Sequence, residues 1–594
     1  MVDKKITELN NLTGADLVDA DEFVVVDISA DETKAITAGQ LKAVLLPLAG
    51  GTMTGDLVTA DDIRAFGAAS DGATNDATAL VSALATGNQA IVPANTVIEP
   101  TLAQVPAIVE GLDRILFQAE TTIQLPAGEA AITTRVRLSN ETLHYLTLKG
   151  PNTTRRTPSA VANTSDVAKN HVVTYTLDNA AGFTVGQYLY LGYAEGTGSF
   201  RSAEGCWKIT AIAGNDVTVK HALAVAWPTM TLTGGRAIPV NSTLRWPVTQ
   251  QGFAVETTVA AFENIVVASQ YNSATTAGSD SYSCGIYVGS QPDFLNTGLT
   301  ESIQSNSGSL WGKNLHVVEW LGTGMRNSSG NFYGNICSAC ANGWRGFQTN
   351  RVGSLVVKAS SAIGNGQSGY QAEAGSFLLA NNSAACGNGV QGVYQIGGGG
   401  VGFQDGVSEN NVSHGLDARN GALILAQGAL VNNNGGAGIN NVGSVVHFGT
   451  DASAANNAGD DLVITEGGKV IATGAASRGV ANVDHDSGAV LVDADGDLLY
   501  SSTLRLENEA TGRRVDQTVS SAGDLITKNV DAGVSTNTWV QKASGTLYPS
   551  TTAMELGRTG DPVGRMYVNE FKMRSPDNTL YTVTVANGGT LTVS

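Results

Sequence analysis

The sequence predicts an all-β protein whose centre is a parallel β-helix, and three observations carry that prediction. Asn342, Asn365, Asn388, Asn411, Asn434 and Asn457 follow one another at intervals of 23 residues. Two apolar columns keep the same step: Phe347, Tyr370, Val393, Leu416 and Ile439 in one, and Leu355, Leu378, Val401, Ile424 and then His447 in the other. Gly346, Gly369, Gly392, Gly415 and Gly438 stand just ahead of the first apolar column. A fixed period of this length marks a solenoid, and no 3.6-residue periodicity of a helical repeat runs through it.

Stacked coils set equivalent residues about 4.8 Å apart, the spacing of neighbouring strands. Each apolar column then forms a continuous stripe of core. The Asn column forms a ladder whose amides hydrogen-bond to the rungs above and below, satisfying an otherwise buried turn. The coil is expected to reach back through residues 285–340 with irregular insertions, and forward to about 475. A solenoid needs caps at both ends, so the flanking segments are expected to supply them or serve other purposes.

Composition agrees with this reading. The 594 residues include 71 Gly, 14 Pro and only 15% charged residues, too apolar for disorder and suited to β-structure with many tight turns. A net charge of −19, with 34 scattered Lys and Arg, disfavours nucleic acid or an anionic membrane as the main partner. The chain has no 18-residue apolar run, and its first residues, MVDKKITELNNL, lack a signal-peptide pattern. Cytosolic synthesis without membrane insertion is the expectation. Cys206, Cys284, Cys337, Cys340 and Cys386 form no framework, and the C-x-x-C at 337–340 has no second pair or nearby His. Buried free thiols are expected there, with no metal or other cofactor.

Five regions follow in order: 1–60, an N-terminal segment; 61–150, a cap and the first coils; 151–245, an inserted small β domain; 246–478, the β-helix; and 479–594, a C-terminal β domain. In the cap, Ala77, Leu80, Ala83 and Leu84 suggest a short amphipathic helix, followed by the strand AIVP. In the inserted domain, the alternating runs YLYLGY, WKITAI and DVTVKH between Gly and Asn turns suggest an antiparallel barrel or sandwich.

Several phrases carry a family resemblance. FGAASDGATND at 66–76 resembles the opening of pectate-lyase-like and tailspike β-helices, FGA-x-x-DG-x-x-DD; Asn75 replaces the first Asp of the pair and Asn95 a customary Gly. Residues 6–45 look like the small unit repeated in phage tail fibres and spikes, and LPLAGGTMTGDL at 47–57 like their collar phrase. MELGRTGDPVGRMYV at 554–568 resembles a segment near tail-fibre C-termini, with Met566 in place of Trp. The resemblance to bacteriophage tailspikes and tail fibres implies a right-handed β-helix and a homotrimer located in the virion. It also implies docking through the N-terminus onto a tail, baseplate or adaptor protein, and a host surface polysaccharide as receptor.

If the Phe347 column points inward, alternate residues of the same strands point outward: Trp344, Gln348, Asn350, Gln371, Glu373, Tyr394, Asp417 and Arg419. Aromatic rings beside amides and charges suit a carbohydrate surface, so Trp344, Gln371, Tyr394 and Arg419 are candidate glycan contacts. Glu373 and Asp417 lie two rungs apart and two residues out of step, which puts their backbones about 12 Å apart. Their carboxyls can then approach the roughly 6.5–9.5 Å of an inverting glycosidase, making them candidate catalytic residues. A solvated strand face with a Glu373–Arg419 attraction is the plainer alternative. Glu409, in a column with Ile363 and Cys386, is either a site carboxylate or a local excursion to solvent. Asp405 shares a column with Ala359, Asn382 and Gly428. DADGD at 493–497 opens like a calcium loop but has Leu504 at its twelfth position, so an acidic turn is expected. Two functions therefore stay open, a glycan-binding adhesin and a depolymerase that hydrolyses or eliminates the glycan.

Overall fold

The computed structural model describes residues 61–471, apart from 139–145, 163–170, 193–203, 222–234, 257, 273–276, 279–282, 290–307 and 450–451. Beyond these, strand backbones alone are described, including an antiparallel pair of Glu22–Asp27 with Glu32–Thr37. The collar phrase at 47–57, the acidic turn at 493–497 and the phrase at 554–568 lie outside the described residues, as do the side chains of 6–45. The fold is a parallel β-solenoid of about 14 turns of roughly 23 residues. The chain divides into two units, Met1–Ser413 and His414–Ser594.

In the first unit, a helix at Ala77–Ala85 buries Ala77, Leu80, Ala83 and Leu84 and leads into the strand Gln89–Val92. A second helix, Val105–Glu110, went unpredicted; it has Pro in its first turn and an apolar face of only Val105, Ile108 and Val109. The motif residues ahead of the first helix build turns. The Asp76 carboxylate accepts from the backbone N–H groups of Ala69 and Ser70 at 2.7 and 3.1 Å, and Asp71 accepts from those of Ala73 and Thr74. Asn95 has φ of +59°, a left-handed conformation that explains why Gly is customary there and why Asn is tolerated.

The regular coils obey the expected register. Phe347, Tyr370 and Val393 are successive strand partners, as are Leu355, Leu378 and Val401, and all six are at most 1% exposed. The ladder is continuous where described in this unit: Asn342 donates to Asn365, Asn365 to Asn388 and Asn388 to Asn411, at 2.9, 3.0 and 2.9 Å. Each Oδ1 also accepts the backbone N–H of the preceding Asn, and each Nδ2 also donates to a carbonyl inside the coil, as Asn388 does to Ala362. The ladder also explains the Gly column. A Cβ on Gly346 or Gly369 would sit 2.8 Å from the amide nitrogen of Asn365 or Asn388. Corners recur in the left-handed region, as at Ala359, Asn382 and Asp405, with φ of 48, 53 and 51°. Asp405 therefore occupies in its own coil the corner that Ala359 and Asn382 occupy in theirs.

Six antiparallel strands form a module in order Pro158–Ser165, His171–Leu177, Asp216–His221, Gly205–Ala213, Tyr188–Gly192 and Arg236–Val240. Arg245, in the solenoid strand that follows, ion-pairs with Glu129 and Glu319 at 2.9 Å each and donates to the Tyr188 hydroxyl at 2.7 Å. Removing one partner of such a buried cluster leaves an uncompensated charge, which fixes the module to the coil.

In the second unit, Leu416–Arg419, Ile439–Val442, Leu462–Thr465, Val483–His485 and Leu504–Asn508 pair in parallel, and antiparallel strands follow from Arg513. One column departs from the 23-residue step. Ile424 pairs with Val446, while His447 pairs with Leu425 on the half-exposed outer side. The preceding corner uses two left-handed residues, Asn420 and Gly421, where the next uses Gly443 alone, so the coil is one residue shorter. All five cysteines are buried and outside any disulfide, and burial pushes the thiols of Cys284 and Cys337 up to about 12.

Candidate glycan-binding face

The strands of one sheet in the first unit carry a column of register partners on their outer side: Arg137, Ala254, Tyr287, Arg326, Gln348, Gln371 and Tyr394. Alternation places the column outside because the residues flanking each member form the core stripe. Ser328 and Asn350 partner each other two residues further along. Apart from Ala254 the column is polar or aromatic, and its chemistry changes along the axis.

At its N-terminal end Glu256, 8% exposed, accepts from Arg135 and Arg137 at 3.0 and 2.7 Å. Tyr287 comes next. Burial raises its phenol above the ordinary value, opposed by a Ser328 hydrogen bond and by the charges of Arg326 and Arg351. Further on, Glu373 receives Arg345 at 3.4 Å and a short contact from the Gln371 amide. The Arg345 guanidinium lies 5.5 Å from the centre of the Trp344 ring. Trp344 and Tyr394 are half-buried. Trp344, Gln371, Glu373 and Tyr394 are thus gathered on consecutive rungs of one face.

The expectation that the whole outward set stands open to solvent does not hold. Gln348 and Gln371 are only 1% and 2% exposed. In the second unit Asp417 is fully buried, held by two bonds from Arg419 at 2.9 and 3.0 Å and one from the Asn440 amide at 2.9 Å. His414 nearby accepts the Ala437 N–H, and burial lowers its imidazole. Each candidate carboxylate has its own arginine: Arg345 for Glu373 and Arg419 for Asp417. Glu409 is half-buried as the strand partner of Cys386.

Sequence reasoning missed Arg135, Arg137, Glu256, Tyr287 and Arg326. They belong to the irregular early coils, where insertions break the fixed step and no column can be drawn by counting. The strands FAV, IYVG and MRNS at 253–255, 286–289 and 325–328 carry alternation too short to read alone. The described residues present a second surface of different character, on another sheet. There Trp311 and Tyr333 are strand partners with rings stacked at 4.6 Å, 47% and 36% exposed, and Phe377 is 43% exposed.

No protein family matches the chain, and no curated protein matches it. Among solved structures it is similar to ORF18 of Geobacillus virus E2, at 11% identity over 90% of this chain and 86% of that one, with a TM-score of 0.29. It is also similar to the A-module of the Azotobacter vinelandii mannuronan C-5 epimerase AlgE4, at 12% identity over 74% and 98% with a TM-score of 0.29. The periplasmic alginate epimerase AlgG matches at 10% identity over 68% and 76%, with a TM-score of 0.31. At such values the likeness carries no argument about what this chain binds.

Proposed function

We propose that the protein is a bacteriophage tailspike or tail-fibre protein that binds a bacterial surface polysaccharide through the outer face just described. One observation carries the binding reading: half-buried Trp344 and Tyr394 flank buried amides and paired charges on consecutive rungs. Ring faces cover the apolar patches of a pyranose, while amides and guanidinium groups take its hydroxyls. The tail-type phrases at 6–45, 47–57 and 554–568 support the phage assignment, and with it a location in the virion and docking through the N-terminus.

Binding is favoured over cleavage because Asp417, one of the two candidate catalytic carboxylates, is saturated by Arg419 and Asn440 and shut away from water. Incubating the protein with host polysaccharide separates the two functions. The proposal expects retention of the glycan with no new reducing ends and no ultraviolet absorbance from an unsaturated product. Turnover that Glu373→Gln abolishes would establish the depolymerase instead.

A further inference from the structure

We infer that the ligand of this face is an acidic polysaccharide, whose carboxylate or phosphate groups are taken by Arg326 and its neighbours; this rests on the carbohydrate reading above. The face carries Arg135, Arg137, Arg326, Arg345 and, beside Tyr287, Arg351, against the carboxylates of Glu256 and Glu373. Among the described residues, five cations against two anions is the reverse of the chain as a whole, whose net charge is −19. Glu256 engages Arg135 and Arg137, and Glu373 engages Arg345. Arg326 sits between these two groups, and its buried Nε has no hydrogen-bond partner.

The next coil shows the same deficit, at Gln348, the strand partner of Arg326, and at Asn350, the partner of Ser328. Gln348 is 1% exposed and its Oε1 meets no donor; Asn350 is 5% exposed and its Oδ1 meets none either. A buried polar atom left unsatisfied costs about 1–3 kcal/mol, so several together on one face imply something that completes them. The atoms are complementary in kind. Arg326 offers donors to an anion, while Gln348 and Asn350 offer acceptors to hydroxyls. Their Cα atoms lie one rung, about 4.8 Å, and up to two residues, about 6.6 Å, apart, which is the scale of one substituted sugar. A neutral glycan would fill the acceptors but leave the guanidinium charge of Arg326 uncompensated as it lost water.

The test titrates full-length protein with oligogalacturonate, with the same chains reduced at their carboxyls to neutral sugars, and with phosphomannan, each at low and high salt. The carboxylated or phosphorylated chain should bind about ten-fold tighter than the neutral one and weaken with salt, and the stronger of the two anionic probes identifies the anion. Arg326→Gln should remove most of that preference. Gln348→Leu should weaken binding while leaving thermal stability equal or higher, a pattern a purely structural role would not give. Lys313→Gln, on the other sheet, should change nothing. Should Arg326→Gln fail to fold, Arg326→Lys, which keeps the charge but loses the fork, should still lower affinity. Equal, salt-independent binding of neutral and acidic chains would overturn the acidic assignment and leave the carbohydrate reading standing. No binding of any chain would overturn both.

Discussion

At the scale of single residues, buried polar side chains join the apolar stripes in holding the coil together. Asn388 is fully buried, donates to Asn411 and to the Ala362 carbonyl, and accepts from both the amide and the backbone N–H of Asn365. Asn388→Ala removes all of these and leaves partners on two rungs unsatisfied, each at about 1–3 kcal/mol. We expect a clear fall in thermal midpoint, far beyond the roughly 0.5 kcal/mol of an exposed turn Asn. An unchanged midpoint would mean the ladder contributes nothing. The ladder was legible in the sequence because a buried turn that needs the same amide on every coil must repeat its residue. The outward residues were harder to read. Alternation gives the direction in which Asp417 points, but not that Arg419 and Asn440 close over it, which depends on side-chain reach between columns.

At the scale of elements, regularity decided what could be foreseen. Coils with a constant step revealed their core by counting alone, and the one slip, at His447, arose where a corner lost a residue. The early coils, broken by insertions, hid the arginine-rich part of the outer face. The inserted module showed its strands through alternation, but not its buried histidines. His221 stacks on Trp207 at 4.3 Å, bonds the Tyr175 hydroxyl at 3.1 Å and is cross-strand partner of His171. His316, on the coil, bonds Ser338 and Asn314 and stacks on Tyr190 at 4.5 Å.

Burial, with His171 adding to it at His221, pushes both imidazoles down to about 3, so the folded state holds them neutral. The unfolded chain takes up protons near pH 6.5. Their contribution is therefore intact above about pH 6.5 and is lost as pH falls toward 3, at roughly 1.4 kcal/mol per pH unit for each. Trp fluorescence should report loss of module structure on acidification, and His221→Phe, which keeps the stack, should shift that transition to lower pH. A transition at the same pH in the variant would acquit His221.

At the scale of the whole molecule, we predict a homotrimer. Trp311, Tyr333 and Phe377 form an exposed apolar strip on one sheet, and partner subunits would cover such area. Light scattering should give three times the chain mass of 61.1 kDa, and a value near one chain would refute it. The assembled protein is the proper material for the decisive test. Full-length protein, labelled, should be mixed with bacterial strains bearing their surface polysaccharide and with mutants of the same strains lacking it. The account predicts binding to a polysaccharide-bearing strain, loss of binding on its bare mutant, and weaker binding by a folded Trp344→Ala, Tyr394→Ala variant. Equal binding to coated and bare cells would contradict it.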